Sequence, residues 1–295
     1  MPTYRVTHET VYTHAATAGA AWQMLQLHPR AEPAQECLDF QLQIEPGAPD
    51  LTHRDDFFGN RRHFFSVREP HLALAITCRS VVRRDEPALP LAGLTPPIAQ
   101  ARARTDALVA GAGFALEQYR HATAHVPFLP AAAELAADLG PPELPLMEWI
   151  ERLGRRFAET FTFDATATDV STPLADVLAT KRGVCQDFTH LFLSCVRQHG
   201  VPAAYVSGYL LTNPPPGKPR LRGADAMHAW VSVFVPDFGW VDYDPTNSCF
   251  VGAGHIVVAR GRDYGDVSPT RGVFTGAAPP PPRVGVTVEP EPAGG

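Results

Sequence analysis

The stretch 181–199, KRGVCQDFTHLFLSCVRQH, predicts the element around which the chain folds. Gly183 permits a tight turn, and the apolar side chains after it recur at helical spacing, so a helix is predicted to begin at Cys185. In the first turn of a helix, unpaired backbone N–H groups and the positive end of the helix dipole favour a thiolate over a thiol. Since a purely structural cysteine does not need this position, Cys185 is predicted to be a nucleophile.

The composition restricts the class of protein. A chain of 295 residues is long enough to bury a core in one large or two modest domains. The formal net charge is −6 and no block of like charges occurs, which argues against a nucleic-acid partner. No apolar run reaches the length that spans a bilayer, and the first residues do not follow the pattern of a secretory signal. The five scattered cysteines are typical of reduced thiols, so we expect a cytoplasmic protein without a membrane partner.

From Tyr4 to Tyr12, successive side chains belong alternately to two sets, as the two faces of a β-strand require. Tyr4, His8, Thr10 and Tyr12 fall on one side of this alternation, which is rich in aromatic and β-branched residues. Residues 1–84 are therefore predicted to form a β-rich N-terminal domain. Further strands are predicted in it at 38–44, 62–67 and 72–82.

The rest of the chain divides by its prolines and its helical periodicity. A Pro- and Ala-rich helical connector is predicted at 85–145, and a helix with one apolar face begins at Leu146. A catalytic core of helices and antiparallel strands is predicted at 146–276, with a loop at 213–224. The tail, 277–295, is rich in proline and is predicted to form a surface strand and a disordered end. The predicted fold class is therefore α+β.

A histidine and an aspartate follow the cysteine helix, each at the end of a strand. His228 begins the strand HAWVSVFV, and Asp244 lies near the end of the return strand. A thiolate nucleophile needs a base, and the base needs a third group that fixes its tautomer. Side chains at the ends of elements can face a cleft while their backbone is held rigidly. Cys185, His228 and Asp244 are therefore candidates for one catalytic site.

The sequence around these three residues resembles the core motifs of the transglutaminase-like superfamily, which has a papain-like fold. The motifs are GVCQDF, then HAWV, then GWVDYDPTN. The resemblance implies that Cys185 is the nucleophile, that His228 is the base and that Asp244 orients the base. It also implies a core in which the nucleophile helix packs on an antiparallel sheet.

The resemblance extends to the bacterial branch of this superfamily, which has a β-rich N-terminal region, and so covers most of the chain. The motifs that carry this part of it are the alternation of Tyr4, His8, Thr10 and Tyr12, LHPR at 27–30, DFFGN at 56–60 and GRDYGDVSPTRGVF at 261–274.

From the residues and the resemblance we expect a cysteine-dependent acyl-transfer enzyme that acts on amide or peptide bonds through a thioester. The residue after the nucleophile is Gln186, where many animal transglutaminases have tryptophan, and their flanking β-domains are absent. Hydrolysis by an amidase or thiol protease is therefore favoured. A transglutaminase that transfers the acyl group to an amine, or a non-catalytic binding protein on the same fold, is the alternative. The expected partner is a protein or peptide substrate with a carboxamide or peptide bond, and the sequence does not indicate the oligomeric state.

The pairing of His228 with Asp244 makes a prediction about strand register. If the two residues lie directly opposite each other, paired residues have numbers that sum to 472, and residues 233–239 must form a long or irregular connection. A tight two-residue turn gives an odd sum and places the two side chains on opposite faces of the sheet. A tight hairpin is therefore expected to count against this triad. Asp242 has the same parity as Asp244 and is the weaker alternative.

Other cysteines and histidines are expected to be structural. Cys195 and Cys249 do not open a helix after a glycine turn, so they are predicted to be core residues. The spacing of four residues in this helix resembles a zinc pattern: Cys185, His190, Cys195 and His199. On a helix, however, a step of five residues rotates the side chain by about 140°, so Cys185, His190 and Cys195 cannot converge on one ion. His190 and His199 are predicted to face solvent or to cap the helix. No metal and no cofactor are expected.

Overall fold

A computed structural model describes residues 1–112, 114–212, 227–276 and 281–291. The loop predicted at 213–224 lies outside these residues, as does the end of the predicted tail at 292–295. The described chain is α+β, as predicted, and its sheets are antiparallel apart from one short parallel pair. No described helix is both long enough and apolar enough to cross a membrane.

Strands dominate the N-terminal part of the chain, and the rest contains both helices and strands. The strands predicted at 38–44, 62–67 and 72–82 are confirmed, as is the helix that begins at Leu146. The strands are β1 (Thr3–Ala18), β2 (Ala21–Leu25), β3 (Gln35–Glu45), β4 (Thr52–Asp55), β5 (Arg61–Val67), β6 (His71–Arg84), β7 (Thr162–Phe163), β8 (Arg182–Gly183), β9 (Ala203–Leu210), β10 (Met227–Val235), β11 (Gly239–Asp244), β12 (Cys249–Phe250), β13 (His255–Gly261), β14 (Thr270–Phe274) and β15 (Arg283–Pro290). The helices are α1 (Ile98–Ala112), α2 (Phe114–Glu117), α3 (Pro130–Leu135), α4 (Leu146–Thr160), α5 (Leu174–Thr180), α6 (Cys185–Gln198) and α7 (Tyr264–Val267).

The cysteine helix α6 packs on a five-stranded sheet with the strand order β12-β11-β10-β9-β13. The predicted apolar stripe is buried, and Leu191, Phe192 and Val196 are fully inaccessible to solvent. Ala229 of β10 belongs to the same apolar cluster. Full burial of one large apolar side chain stabilises a fold by about 1.5 to 3 kcal/mol. This packing fixes the direction of α6 and therefore the position of Cys185, its first residue.

Two four-stranded sheets contain strands from both ends of the chain. One has the order β15-β1-β6-β3 and the other the order β14-β2-β5-β4. β1 alternates between outward and buried residues, and its buried Tyr4 and Val6 belong to the same apolar cluster as α6. Because β14 and β15 come from the C-terminal part, the β-rich region is assembled from residues far apart in the sequence. The domain boundaries remain predictions.

β10 and β11 form a tight hairpin, which differs from the predicted connection. The ladder runs from Val235 opposite Gly239 to Val231 opposite Tyr243. Paired residue numbers therefore sum to 474, and only residues 236–238 remain for the turn. The prediction of a sum of 472 with a long, irregular connection was wrong.

The turn geometry explains why a tight hairpin still brings the two predicted residues together. Asp237 and Gly239 have left-handed backbone conformations, with φ of 72° and 87°, which close a three-residue loop. A three-residue loop gives an even sum, so His228 and Asp244 stay on one face of the sheet. They are diagonal neighbours instead of direct partners, a separation that long side chains can bridge.

Candidate active site

Cys185 begins α6, as predicted, and is half-buried. The carboxylate of Asp187 caps this end of the helix by accepting hydrogen bonds from the Val184 N–H at 2.8 Å and the Thr168 hydroxyl at 2.6 Å. Burial raises the pKa of Asp187.

His228 and Asp244 form a hydrogen-bonded pair in the next part of the site. His228 Nε2 lies 2.7 Å from Asp244 Oδ2, and the side chain of Asp244 is fully buried. Burial by itself lowers the pKa of His228, but hydrogen bonds to Asp244 and Cys185 outweigh this effect and raise the pKa to about 10. His228 is therefore protonated at neutral pH and is hydrogen-bonded to both the carboxylate and the sulfur.

The carboxylate of Asp244 is held by several donors besides His228. Its Oδ1 accepts from the backbone N–H groups of Thr246 at 2.9 Å and Asn247 at 3.2 Å, and the Asn247 amide donates to Oδ2 at 2.7 Å. Burial raises the pKa of Asp244, but the hydrogen bonds from His228 and His255 lower it by more, so the net direction is down. Asp244 therefore stays ionised and fixed in orientation.

Asp242, the weaker alternative, has different partners. Its two carboxylate oxygens accept from the Arg260 guanidinium at 3.0 and 2.9 Å, and one of them accepts from the Trp230 indole at 3.1 Å. In this bidentate ion pair the carboxylate of Asp242 is neutralised by Arg260 and not by the imidazole of His228. The structure therefore places Asp244, and not Asp242, beside His228.

His255 is a part of this site that the sequence analysis missed. Its Nε2 lies 3.2 Å from the same Asp244 oxygen that contacts His228. In the sequence it is only the first residue of a short apolar run, with no motif or spacing to distinguish it. The sheet brings it to Asp244 because β13 pairs with β9 on the side opposite β10.

His228, Asp244 and His255 each offer one possible metal ligand, and these atoms lie within 4.8 Å of one another. A tetrahedral zinc ion with bonds of about 2.0 to 2.1 Å holds its ligand atoms about 3.3 Å apart. The 2.7 Å between His228 and Asp244 is instead the length of a charge-assisted hydrogen bond. The geometry therefore favours a shared proton over a metal ion between these two groups.

The two other cysteines considered from the sequence have different surroundings. Cys195 is completely buried, its Sγ lies 3.1 Å from the Ala132 carbonyl, and burial raises its pKa, so the prediction of a core residue is confirmed. Cys249 is exposed, and the prediction that it belongs to the core was wrong. It lies on β12, a two-residue strand at the edge of the sheet, which pairs with β11 on one side.

The two histidines of α6 also differ from each other. His199 caps the helix, with Nδ1 2.9 Å from the Cys195 carbonyl, so the prediction of a capping role is confirmed. His190 is buried, because the ring of Tyr205 and the backbone of Tyr264 pack against it, and its Nε2 accepts from the Tyr264 N–H at 3.1 Å. A solvent-facing or capping role was the wrong prediction for His190.

Cys185 and His228 line a cleft of about 500 Å³. The N-terminal sheet and the core both contribute to its walls, since strands β1, β9 and β15 and helix α7 all reach it. The side chains from these elements include His8, Thr10, Tyr12, Tyr205, Tyr264 and Val284.

Tyr205 and Ser207 of β9 both bring a hydroxyl-bearing side chain to this cleft, and Tyr205 carried no signal in the sequence. Its phenol interacts electrostatically with Cys185, and burial raises its pKa well above the ordinary value. The phenol therefore keeps its proton and can donate a hydrogen bond to an oxygen held near the sulfur.

Comparison with known families matches two parts of the chain. The family described as "Bacterial transglutaminase-like N-terminal region" matches residues 4–83, and the "Transglutaminase-like superfamily" matches residues 133–245. The second range contains Cys185, His228 and Asp244. The chain belongs to the transglutaminase-like superfamily, and the resemblance found in its motifs is confirmed.

Relatives from mycobacteria match almost the whole chain. An uncharacterized protein of Mycobacterium tuberculosis is 38% identical over 291 residues, which cover 92% of this chain and 87% of the relative. An uncharacterized protein of Mycobacterium leprae is 29% identical over 275 residues, which cover 92% of this chain and 93% of the relative. The names of these relatives assign no activity, so they support membership of the family alone.

The crystal structure of a candidate cysteine protease from Cytophaga hutchinsonii has the same fold. It superposes with a TM-score of 0.74 over 99% of this chain and 92% of that chain, at 16% sequence identity. At this identity the likeness concerns the fold only. It confirms the predicted transglutaminase-like core with a β-rich N-terminal region.

Proposed function

We propose that the protein is a cysteine-dependent acyl-transfer enzyme that cleaves amide or peptide bonds through a thioester on Cys185, chiefly as a hydrolase. The observation that carries this proposal is the position of His228, which lies in a cleft and is hydrogen-bonded to both Asp244 and Cys185, and these bonds raise its pKa to about 10. An imidazolium beside a sulfur stabilises the thiolate, the form in which a cysteine is nucleophilic.

In the first half of the proposed reaction, the Cys185 thiolate attacks the carbonyl carbon, and the C=O electron pair moves to the oxygen. The backbone N–H of Cys185 and the Tyr205 hydroxyl donate hydrogen bonds to this oxyanion. When the oxyanion collapses, the C–N bond breaks and His228 gives its proton to the leaving ammonia or amine. Asp244 stays ionised throughout and orients the imidazole ring.

In the second half, water attacks the thioester and neutral His228 takes a proton from it. The C–S bond breaks, a carboxylic acid leaves, and the thiolate and imidazolium of Cys185 and His228 are restored. A primary amine in place of water would give a new amide, which is transglutaminase chemistry. Hydrolysis is favoured because Cys185 is only half-buried in the cleft and water is by far the most concentrated acceptor.

Mass spectrometry of a mixture of glutamine-containing peptides tests this proposal. The protein is incubated with the mixture, with and without a primary amine, and deamidation, cleavage and amine incorporation are distinguished by their mass changes. We expect deamidation or cleavage in both samples, and amine incorporation as the minor product.

The matched control is Cys185→Ala, which removes the sulfur and leaves the fold and the cleft in place. We expect it to form none of the products. Product formation that persists in Cys185→Ala would contradict the role of Cys185 as the nucleophile. A complete absence of products from the wild-type protein would support the alternative of a non-catalytic binding protein. Amine incorporation as the main product would support the transglutaminase alternative.

A further inference from the structure

The inner side of β1 belongs to the cleft, although the acyl-transfer steps do not use it. His8, Thr10 and Tyr12 are the alternating residues of the N-terminal motif, and all three line the cleft with Cys185 and His228. Each of the three is buried. The motif of β1 therefore forms one wall of the proposed active site.

Apart from His228, the described walls of the cleft carry no charged side chain. The described side chains that line it include no aspartate, glutamate, lysine or arginine. Burial lowers the pKa of His8 to about 4, so this imidazole is neutral at neutral pH. Moving an unpaired charge from water to such surroundings is costly, so an uncharged ligand is favoured.

A chain of hydrogen bonds leads from the core to Thr10. The Tyr209 hydroxyl lies 3.2 Å from His8 Nδ1, and His8 Nε2 lies 3.1 Å from Thr10 Oγ1. A neutral imidazole has one N–H group and one acceptor nitrogen, so the chain runs in one of two directions. Either Tyr209 donates to His8 and His8 donates to Thr10, or both bonds are reversed.

The position of the cleft selects the first direction, because both hydroxyl groups are buried but of the two residues only Thr10 lines the cleft. If the bonds were reversed, the Tyr209 hydroxyl proton would need another acceptor, and none is recorded among the described residues for this fully buried group. An unsatisfied buried donor costs about 1 to 3 kcal/mol. In the first direction, the free proton is that of the Thr10 hydroxyl, which lines the cleft. Thr10 therefore presents a hydrogen-bond donor to a ligand.

We propose that the acyl donor is an uncharged, peptide-like segment that binds between β1 and the core, where one of its carbonyl oxygens accepts a hydrogen bond from Thr10. This proposal rests on the proposed function, because it names the substrate class of the same cleft. A carbonyl oxygen is a neutral acceptor that recurs along a peptide, so it matches a neutral wall with a fixed donor. Thr10 is a binding residue here and takes no part in the proton transfers.

Inactivation kinetics with two electrophiles test the proposal without knowledge of the natural substrate. The first is an N-acetyl dipeptidyl vinyl sulfone with leucine side chains, to which a thiolate adds, and the second is iodoacetamide, which is too small to reach β1. Thr10→Val keeps the shape of the side chain and removes the donor. We expect it to raise the inhibition constant of the peptidyl probe about 3- to 10-fold, the usual worth of one neutral hydrogen bond.

The rates that report on Cys185 itself should not change in this experiment. We expect the limiting inactivation rate and the iodoacetamide rate of Thr10→Val to equal those of the wild-type protein, and Thr10→Ser to restore the inhibition constant. An unchanged inhibition constant in Thr10→Val, or a peptidyl probe that does not saturate the wild-type protein, would overturn the proposal. Slow reaction of wild-type Cys185 with iodoacetamide would instead count against the proposed function.

The charge of the probe supplies a second test that does not depend on the folding of Thr10→Val. We expect the leucine probe to inactivate the wild-type protein at least 10-fold more efficiently than matched probes with aspartate or lysine side chains. Val284→Glu adds a negative charge to the cleft wall and should shift the preference towards the lysine probe. Val273→Glu, at an exposed valine that does not line the cleft, is the control and should leave the preference unchanged. Equal efficiency of the three probes would overturn the proposal.

Discussion

The carboxylate of Asp244 sets the charge of the proposed site, because its hydrogen bond is the strongest influence that raises the pKa of His228. Asp244→Asn removes this charge and lets the amide donate to the ring, which favours the wrong tautomer. We expect kcat to fall by about 10²- to 10⁴-fold while the fold persists. Turnover of a peptide found by mass spectrometry, with circular dichroism as the folding check, measures the effect.

Asp242→Asn is the matched control for this prediction. Asp242 lies on the same strand, but it pairs with Arg260 and not with His228. We expect Asp242→Asn to lower stability, since it leaves the Arg260 charge without this partner, and to keep kcat within about 10-fold. Equal losses of kcat in the two variants would contradict the assigned roles.

The second prediction at the scale of single residues concerns the hydroxyl group of Tyr205. Tyr205→Phe removes the donor that we assign to the oxyanion and keeps the aromatic ring. We expect kcat to fall by about 10²-fold with little change in KM, because the interaction forms only when the oxyanion does. Tyr243→Phe, at a buried tyrosine that does not line the cleft, is the control. An unchanged kcat in Tyr205→Phe would remove Tyr205 from the mechanism.

Residues with a local signal could be predicted from the sequence, and residues without one could not. Cys185 was recognisable from its position after a glycine turn. Asp242 has the same parity as Asp244, and Asp244 was preferred because Asp242 was expected to lie one pair deeper, beside Trp230. His255 and Tyr205 reach the site only through the pairing of β9 with β10 and β13, which the sequence does not show. The exposure of Cys249 depends on its edge position in the sheet, which the sequence also does not show.

At the scale of elements, the β10–β11 hairpin shows the limit of reasoning from parity. The parity argument correctly required the numbers of paired residues to have an even sum, since an odd sum places His228 and Asp244 on opposite faces of the sheet. The assumption that the two residues must be direct partners was too strict, because diagonal side chains on one face also meet. The three-residue turn depends on left-handed backbone at Asp237, a conformation that residues other than glycine seldom adopt.

The contact of α4 with the sheet makes a stability prediction at this scale. A Cβ atom at Gly154 would lie 1.8 Å from the Tyr243 hydroxyl oxygen, so alanine there must displace the helix or the ring. We expect Gly154→Ala to lower the free energy of unfolding by about 1 to 3 kcal/mol, measured by urea denaturation.

Gly111→Ala is the matched control, since Gly111 also lies in a helix, α1, and a Cβ atom there meets nothing within 4 Å. We expect this substitution to be neutral or to stabilise the protein by up to about 1 kcal/mol. The same gain in Gly154→Ala would show that α4 does not pack on Tyr243 as described.

At the scale of the whole molecule, the N-terminal motif and the predicted catalytic core form one cleft. The sequence predicted a β-rich region and a core as successive segments. The structure joins them, because β14 and β15 return to the N-terminal sheets and Tyr4 and Val6 pack in the same cluster as α6. Such long-range pairing has no local sequence signal, so it could not be predicted. The cytoplasmic location and the substrate remain predictions.

Because two buried histidines are neutral in the folded protein, we expect the stability of the whole fold to decrease in acid. Burial lowers the pKa of His8 to about 4 and that of His190 to about 3. In the unfolded chain both titrate near pH 6.5, so the unfolded state binds protons first as the pH falls. Stability is therefore unaffected by these groups above pH 6.5 and decreases below it, by roughly 3 kcal/mol for each histidine at pH 4. Thermal unfolding between pH 7 and pH 4 measures the fall in Tm.

His190→Gln separates this effect from general acid sensitivity, because glutamine cannot titrate but can still accept a hydrogen bond from the Tyr264 N–H. We expect its Tm to depend less steeply on pH between 6.5 and 4 than that of the wild-type protein. Identical slopes for the two proteins would contradict the role of buried neutral histidines.

Alkylation of cysteines tests the proposed catalytic pair most directly, and the chain provides its own internal comparison. The Cys249→Ser variant removes an exposed competing thiol. Burial raises the pKa of Cys37 to about 11 and that of Cys78 to about 12, and it also raises the pKa of Cys195, so these three thiols should react slowly.

The decisive measurement is the rate at which iodoacetamide labels Cys185 at pH 7 in this background, with and without His228→Ala. The account predicts that Cys185 is labelled much faster than the other cysteines and that His228→Ala slows its labelling at least 10-fold, because the imidazolium that stabilises the thiolate is lost. Equally slow labelling of all cysteines, or a Cys185 rate that is unchanged in His228→Ala, would contradict the account.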